Sequence, residues 1–254
     1  MTSSTGDGTQ AHYDRLAASY DQNWAYNPAY IAWMTGCILD RAAIGPGQVA
    51  ADIGCGTGLY SLGLTTAASR VICADPSQAM LGQLPSDPAL IPVLASAQDI
   101  AERRVTLPGE QLDAILIKEA IHHVPASDRQ AVLHGLAGFL PPGGRILIVM
   151  LPARIEYPLF NAALERFESL QPDPAEIAAM LSSAGLETGV TYDSYRLTMR
   201  KDRYLSMVRR RYMSLLSSFT DAELEQGITE IQDRHPGDHL KFADRFAFVR
   251  GTRA

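Results

Sequence analysis

Short apolar runs alternate with amphipathic stretches along most of this chain. Val49–Ile53 (interrupted only by Asp52), Arg70–Asp75, Leu90–Leu94, Gln111–Ile117 and Arg145–Met150 each hold five to seven mostly apolar residues. That length fits strands, and the near-continuous apolarity fits strands covered on both faces. Helical spacing fills the intervals. His12–Asn23 places Tyr13, Leu16, Ala17 and Tyr20 on one face. Asn27-Pro28 supplies a cap and a first-turn proline for a helix carrying Ile31, Met34, Ile38 and Leu39. Pro76-Ser77 opens a short helix over Gln78–Leu84, and Ser127 is the expected cap of a helix carrying Val132, Leu133, Leu136 and Leu140. Tyr157, Phe160, Leu164 and Phe167 predict a helix between Pro152 and Pro172. Another starts at Asp173-Pro174 and stops at Gly185. Two further strands are expected at Leu186–Tyr195 and Phe242–Val249. They flank a helical insertion over about 200–233, which the capping box Thr220-Asp221-Ala222-Glu223 divides in two. Strands alternating with helices in this way predict an α/β domain built on a parallel sheet.

The first strand runs directly into Gly54-Cys55-Gly56-Thr57-Gly58 and then into helix-compatible sequence. Residues without Cβ let backbone approach a ligand, and a strand–glycine–helix order aims amide donors at it. A dinucleotide fingerprint needs its third glycine at the sixth position, which is Leu59 here, so that reading fails. Asp75 ends the next strand, 21 residues beyond Gly54. In a βαβ unit this spacing brings a carboxylate beside the glycine loop, where it can accept the hydroxyls of a ribose.

Asp52-x-Gly54-x-Gly56-x-Gly58, the acid Asp75, the loop acid Asp99 and the turn Leu140-Pro141-Pro142-Gly143-Gly144 occur in one order. So arranged, the stretch from Tyr13 to Val149 resembles the class I S-adenosylmethionine (SAM) methyltransferases. The resemblance implies a sheet of about seven strands, mostly parallel with the last reversed, and helices on both faces. The small, polar residues of 1–10 predict a disordered tail, and 11–254 is expected to form one methyltransferase domain. Within that domain, 11–45 would be a helical lid and 46–150 the SAM-binding core. The remainder, 151–254, would hold substrate-covering helices and the final strands. The cofactor contacts the resemblance implies are Tyr13, Tyr20, Asp52, Gly54, Cys55, Gly56, Gly58, Asp75, Pro76, Met80, Gln98, Asp99, Ile100 and Lys118. Tyr13, Ala17, Tyr20 and Asp21 match a stretch that folds over SAM in the family, although each tyrosine also fits plain amphipathic packing. Met80 fits the adenine face or the core equally, and Asp99 fits an adenine contact or a turn.

Beyond the fourth strand come Lys118-Glu119-Ala120-Ile121-His122-His123. A carboxylate and two imidazoles within five residues can take a proton from an attacking centre. Glu119, His122, His123 and Tyr20 are therefore the candidate catalytic residues, with one histidine of the pair expected to act and the other to support. Glu119 also fits a solvated loop acid. Methyl transfer needs the acceptor held close to the methyl group and water kept out. Tyr157, Phe160 and Phe167 fit either a pocket wall or a core stripe. An aromatic wall suits a small indole- or phenol-like acceptor methylated at N, O or C, in natural-product biosynthesis.

Composition narrows the partners. Charged residues make up 20% and the net charge is −6, against broad binding to nucleic acid or an anionic membrane. The basic cluster Arg200, Lys201, Arg203, Arg209, Arg210, Arg211 reads as a solvated helix face, or as recognition of an anionic substrate group. Cys37, Cys55 and Cys73 form no metal spacing and point to a reducing cytoplasm; no metal is expected. No apolar run reaches the ~18 to 20 residues of a membrane span. The sequence leaves the oligomeric state open, a homodimer being compatible with it; the resemblance implies SAM as cosubstrate and S-adenosylhomocysteine as product. Two other readings share the same motifs: an RNA-modifying methyltransferase, and a SAM-binding partner protein without catalysis.

Overall fold

A computed structural model describes residues 27–109 and 111–254. The tail over 1–10, the helix expected over His12–Asn23, Tyr13 and Tyr20 lie outside the described residues. Seven strands form one sheet in the order β3-β2-β1-β4-β5-β7-β6. They are β1 (Val49–Ile53), β2 (Arg70–Asp75), β3 (Leu90–Leu94), β4 (Ala114–Lys118), β5 (Arg145–Met150), β6 (Leu186–Arg200) and β7 (His239–Arg253). β1 to β5 are parallel, and β7 runs antiparallel between β5 and β6. The order reverses at β1, so the glycine loop opens at the switch point where a ligand crevice forms in such sheets.

Two apolar layers cover the sheet, and the alternation of side chains along each strand decides which residue enters which layer. Ala50, Val71, Cys73, Leu116, Leu147, Phe246 and Phe248 face a layer completed by α1 (Pro28–Ala42) and the helices of the insertion. Ile53, Ile72, Ile115, Ile117, Ile146 and Ile148 face the other. There they meet α5 (Arg129–Ala137) and α7 (Pro174–Ser183). The short α2 (Ser61–Leu64), α3 (Gln78–Leu81) and α4 (Ala97–Ala101) follow β1, β2 and β3, and α6 (Asn161–Leu170) follows β5. Asn27 accepts from the Tyr30 amide and Asp173 from that of Ala175, so both caps stand where the proline-led starts placed them.

Four expectations need correction. Ser127 does not cap α5: its hydroxyl donates to Asp128, the residue at the cap position, whose own side chain bonds no helix amide. Tyr157 and Phe160 precede α6 instead of lying on it, and Phe160 occupies its cap position. α3 ends at Leu81, not Leu84. β6 and β7 are each 15 residues long, because Leu197, Met199, Leu240 and Phe242 continue the buried alternation beyond the predicted ends. This ladder, paired from Leu186↔Arg253 to Arg200↔His239, overruns the end of β5 and forms an arm above the sheet's C-terminal edge. The insertion rides on its tip as α8 (Lys201–Arg209), a 3-10 turn over Ser214–Ser218, and α9 (Asp221–Arg234). Thr220 and Glu223 form the predicted capping box reciprocally. No helix of the described residues is long and apolar enough to cross a membrane.

Candidate active site

Gly54, Gly56 and Gly58 all hold positive φ, at 76°, 56° and 78°, where an L side chain is strained. Two need room as well as freedom: a Cβ on Gly54 would stand 2.5 Å from that of Ala120, and one on Gly58 would overlap Leu84. Gly56 faces open space. The Asp75 carboxylate closes on this loop, accepting from the Gly56 amide at 2.9 Å and from the Ser77 amide at 2.8 Å. The sequence-distant acid and the loop therefore meet, as the spacing required, and one hydrogen bond fixes their separation. Asp52 lies deeper. It is buried below the loop and accepts from the Ser61 hydroxyl at 2.6 Å, and burial raises its pKa to about 6. The Cys55 thiol is pushed up by its hydrogen bond with the Cys73 thiol and by burial.

The other implied SAM contacts divide. Pro76 is exposed beside Asp75, whereas Met80 is 2% exposed. Asp99 caps its own helix: its Oδ2 accepts from the Ser96 amide and hydroxyl, and its Oδ1 from Arg104. Its turn role is thus present with every carboxylate oxygen engaged. The Ile100 amide bonds back to Ser96 and its side chain is buried in the second layer, while Gln98 is half-buried at the helix surface.

At the end of β4 the structure separates residues that lie close in sequence. Lys118 shares a sheet face with Leu116 and points into the layer of α1. Its ammonium pairs with Glu119 at 2.5 Å and stands 4.5 Å from the Tyr60 ring centre and 5.4 Å from that of Phe246. Burial lowers the affinity of this amine for its proton, but Glu119 and Tyr60 more than offset that, so it stays charged. Glu119 adopts φ 50°, an uncommon conformation for a residue other than glycine, with its amide bonded to Val149. His122 turns elsewhere. Burial, then the nearby Arg129 guanidinium, lowers its pKa to about 4, so it is neutral at physiological pH. His123 is exposed, with its ring centre 4.0 Å from that of His122. Glu119 bonds to Lys118 and to neither imidazole.

Asp244 was not found by reading the sequence for chemistry. It is 1% exposed on β7, three residues before Ala247, the partner of the last residue of β5, so it lies over the same edge as Glu119. Tyr30 of α1 donates to its Oδ2 at 2.6 Å and Tyr157, from the segment before α6, to its Oδ1 at 2.5 Å. Burial raises its pKa to about 6 in spite of these two donors. The same burial, with Asp244 and Glu119 beside them, pushes both phenols far above their usual range. A local signal existed. Leu240, Phe242, Phe246 and Phe248 are the inward positions of an alternating strand, and Asp244 sits at the inward position between them.

A family profile described as a methyltransferase domain matches residues 50–144, the span from β1 through the turn before β5. A putative methyltransferase from an antibiotic biosynthesis pathway of Anabaena variabilis superposes with a TM-score of 0.67, covering 87% of this chain and 97% of that one at 18% identity. Residues 50–144 are thus a methyltransferase domain, and the fold is that of the class I SAM-dependent methyltransferases. Among curated relatives, a ubiquinone biosynthesis O-methyltransferase of Dechloromonas aromatica is 30% identical over 132 residues, which are 49% of this chain and 51% of that protein. One from Marinobacter nauticus is 28% identical over 178 residues, covering 61% and 72%. The chain thus spans about half the length of the first relative and under three quarters of the second.

Proposed function

We propose that this chain transfers the methyl group of SAM to a hydroxyl or amine of a small aromatic acceptor seated against Glu119 and the aromatic layer of α1 and the arm. The observation that carries the SAM half is the Asp75 carboxylate held 2.9 Å from the Gly56 amide. Gly54, Gly56 and Gly58 would carry the backbone past the cofactor, and Asp75 would hold its ribose. When bound, SAM supplies a methyl group activated by a positive sulfur.

The chain's own residues supply the rest. Glu119 would take the proton of the attacking hydroxyl as the oxygen's electron pair forms the new bond to carbon and the methyl–sulfur bond breaks, its electrons staying on the departing sulfur. The buried Lys118 ammonium beside it stabilises negative charge growing on that oxygen. Tyr60 and Phe246 flank the pair and keep water from it. The names of the curated relatives favour oxygen as the attacking atom. Three of the six residues read as a basic cluster pair with acids, which favours a solvated helix face over an RNA surface: Arg200 with Asp202, Arg209 with Glu225 and Arg211 with Asp221.

Two variants test this reading. Asp75→Ala should lose SAM affinity by tenfold or more in calorimetry. Glu119→Gln should keep that affinity while label transfer from SAM to a catechol falls by 10²-fold or more. Unchanged SAM binding in the first, or unchanged transfer in the second, overturns the corresponding half.

A further inference from the structure

The charge facing the acceptor edge is predominantly negative. Asp244 and Glu119 both act on the phenols of Tyr30 and Tyr157, and the Lys118 ammonium acts on Asp244. Lys118 is already paired with Glu119. Both phenol protons are directed at Asp244, so neither tyrosine has a proton left to donate. Three guanidinium groups of the insertion are engaged elsewhere: Arg209 with Glu225, Arg211 with Asp221, and Arg234 with the Leu159 carbonyl and Glu230.

Packing alone does not require this carboxylate. Asp244 occupies an inward position of an otherwise apolar stripe, where phenylalanine stands on either side. Burying a charge there is costly, and the two phenols that offset it come from two separate elements. A second pair of phenols, Tyr204 on α8 and Tyr212 just beyond it, is bonded at 3.0 Å and also senses Asp244. The acid is therefore the point where α1, the segment before α6, β7 and the insertion meet above the acceptor edge.

We infer that Asp244, acting through Tyr30 and Tyr157, is the specificity-determining residue of the acceptor site, and that it selects an aromatic acceptor bearing a protonated amine over one bearing a carboxylate or phosphate. This rests on the placement of the acceptor at the Glu119 edge. An ammonium there restores the charge balance that Lys118 alone leaves short. An acceptor anion finds two carboxylates and no uncommitted cation among the groups named above.

Three catechols with one ring and different side chains provide the test: dopamine, 4-ethylcatechol and 3-(3,4-dihydroxyphenyl)propionate. Binding to the full chain saturated with S-adenosylhomocysteine is measured by calorimetry, and methyl transfer is measured separately. Dopamine should bind at least tenfold more tightly than the propionate, with ethylcatechol between them. Asp244→Asn should bring that ratio towards one, mainly through KM, and Asp244→Glu should restore part of it. In the wild-type protein the ratio should also fall between pH 8 and pH 5, as Asp244 takes up its proton near pH 6; this readout needs no variant to fold. Equal binding of the propionate, or a ratio indifferent to both Asp244 and pH, overturns the inference. An Asp244-dependent preference for dopamine without methylation of any catechol leaves it standing and removes the hydroxyl-acceptor reading instead.

Discussion

At the scale of single residues, the three loop glycines make separable demands. Gly54 and Gly56 both hold a backbone conformation that costs an L residue roughly 1 to 2 kcal/mol. Gly54 in addition lies against Ala120, which follows the strained Glu119 at the end of β4 and cannot retreat as a flexible side-chain tip would. Gly56 meets nothing, and its amide is the one that holds Asp75. Gly54→Ala should therefore lower thermal stability more than Gly56→Ala. Gly56→Ala should lose SAM affinity out of proportion to its small loss of stability, because its new methyl group enters the space kept open over the loop. Melting curves and calorimetry on both variants check this, and a reversed stability order would mean that Ala120 is free to move.

At the scale of elements, the insertion is held down at one close crossing. Gly227 lies in the middle of α9, where glycine costs about 1 kcal/mol relative to alanine. Propensity alone would make Gly227→Ala stabilising. A Cβ at that position, however, would penetrate the Phe160 ring, which is buried and packed edge-on against Phe219 at 5.1 Å. Overpacking of this kind typically costs about 1 to 3 kcal/mol, so the net effect should be destabilising by up to about 2 kcal/mol. Since Phe160 stands three residues after Tyr157, the same variant should weaken acceptor binding more than SAM binding. Denaturant unfolding and separate titrations of the two ligands measure both effects. A rise in stability would show that α9 does not bear on Phe160 as described.

At the scale of the whole molecule, what was legible in the sequence follows the range of the contacts involved. β1 to β5, the glycine loop and Asp75 depend on spacings within a single βαβ repeat, and these survive as patterns in neighbouring residues. The arm and the Asp244 cluster do not. Tyr30 and Asp244 lie 214 positions apart and Tyr157 and Asp244 lie 87 apart, so no local spacing encodes their meeting. Likewise, adjacency grouped Glu119 with His122 and His123, while the strand's end and the following turn send the carboxylate towards Lys118 and His122 towards Arg129.

The long-range cluster also leaves a mark on global stability that can be measured. Asp244 in the folded chain binds its proton near pH 6, whereas an unfolded aspartate does so near about 3.9. Between those values the folded state holds a proton that the unfolded state has released, so this residue's contribution to stability falls as pH rises and reaches its minimum above pH 6. A shift of about two pKa units corresponds to roughly 3 kcal/mol, an upper figure for a single buried group. An asparagine at this position has no such proton to release. The difference in unfolding free energy between wild type and Asp244→Asn should therefore move by about 1 to 3 kcal/mol in favour of the variant from about pH 4.5 to about pH 7.5. The subtraction removes the carboxylates common to both proteins, including Asp52, which titrates in the same window. Urea unfolding of the two proteins at several pH values would show it. Parallel curves would mean that Asp244 stays ionised throughout, with the two phenols fully compensating its burial.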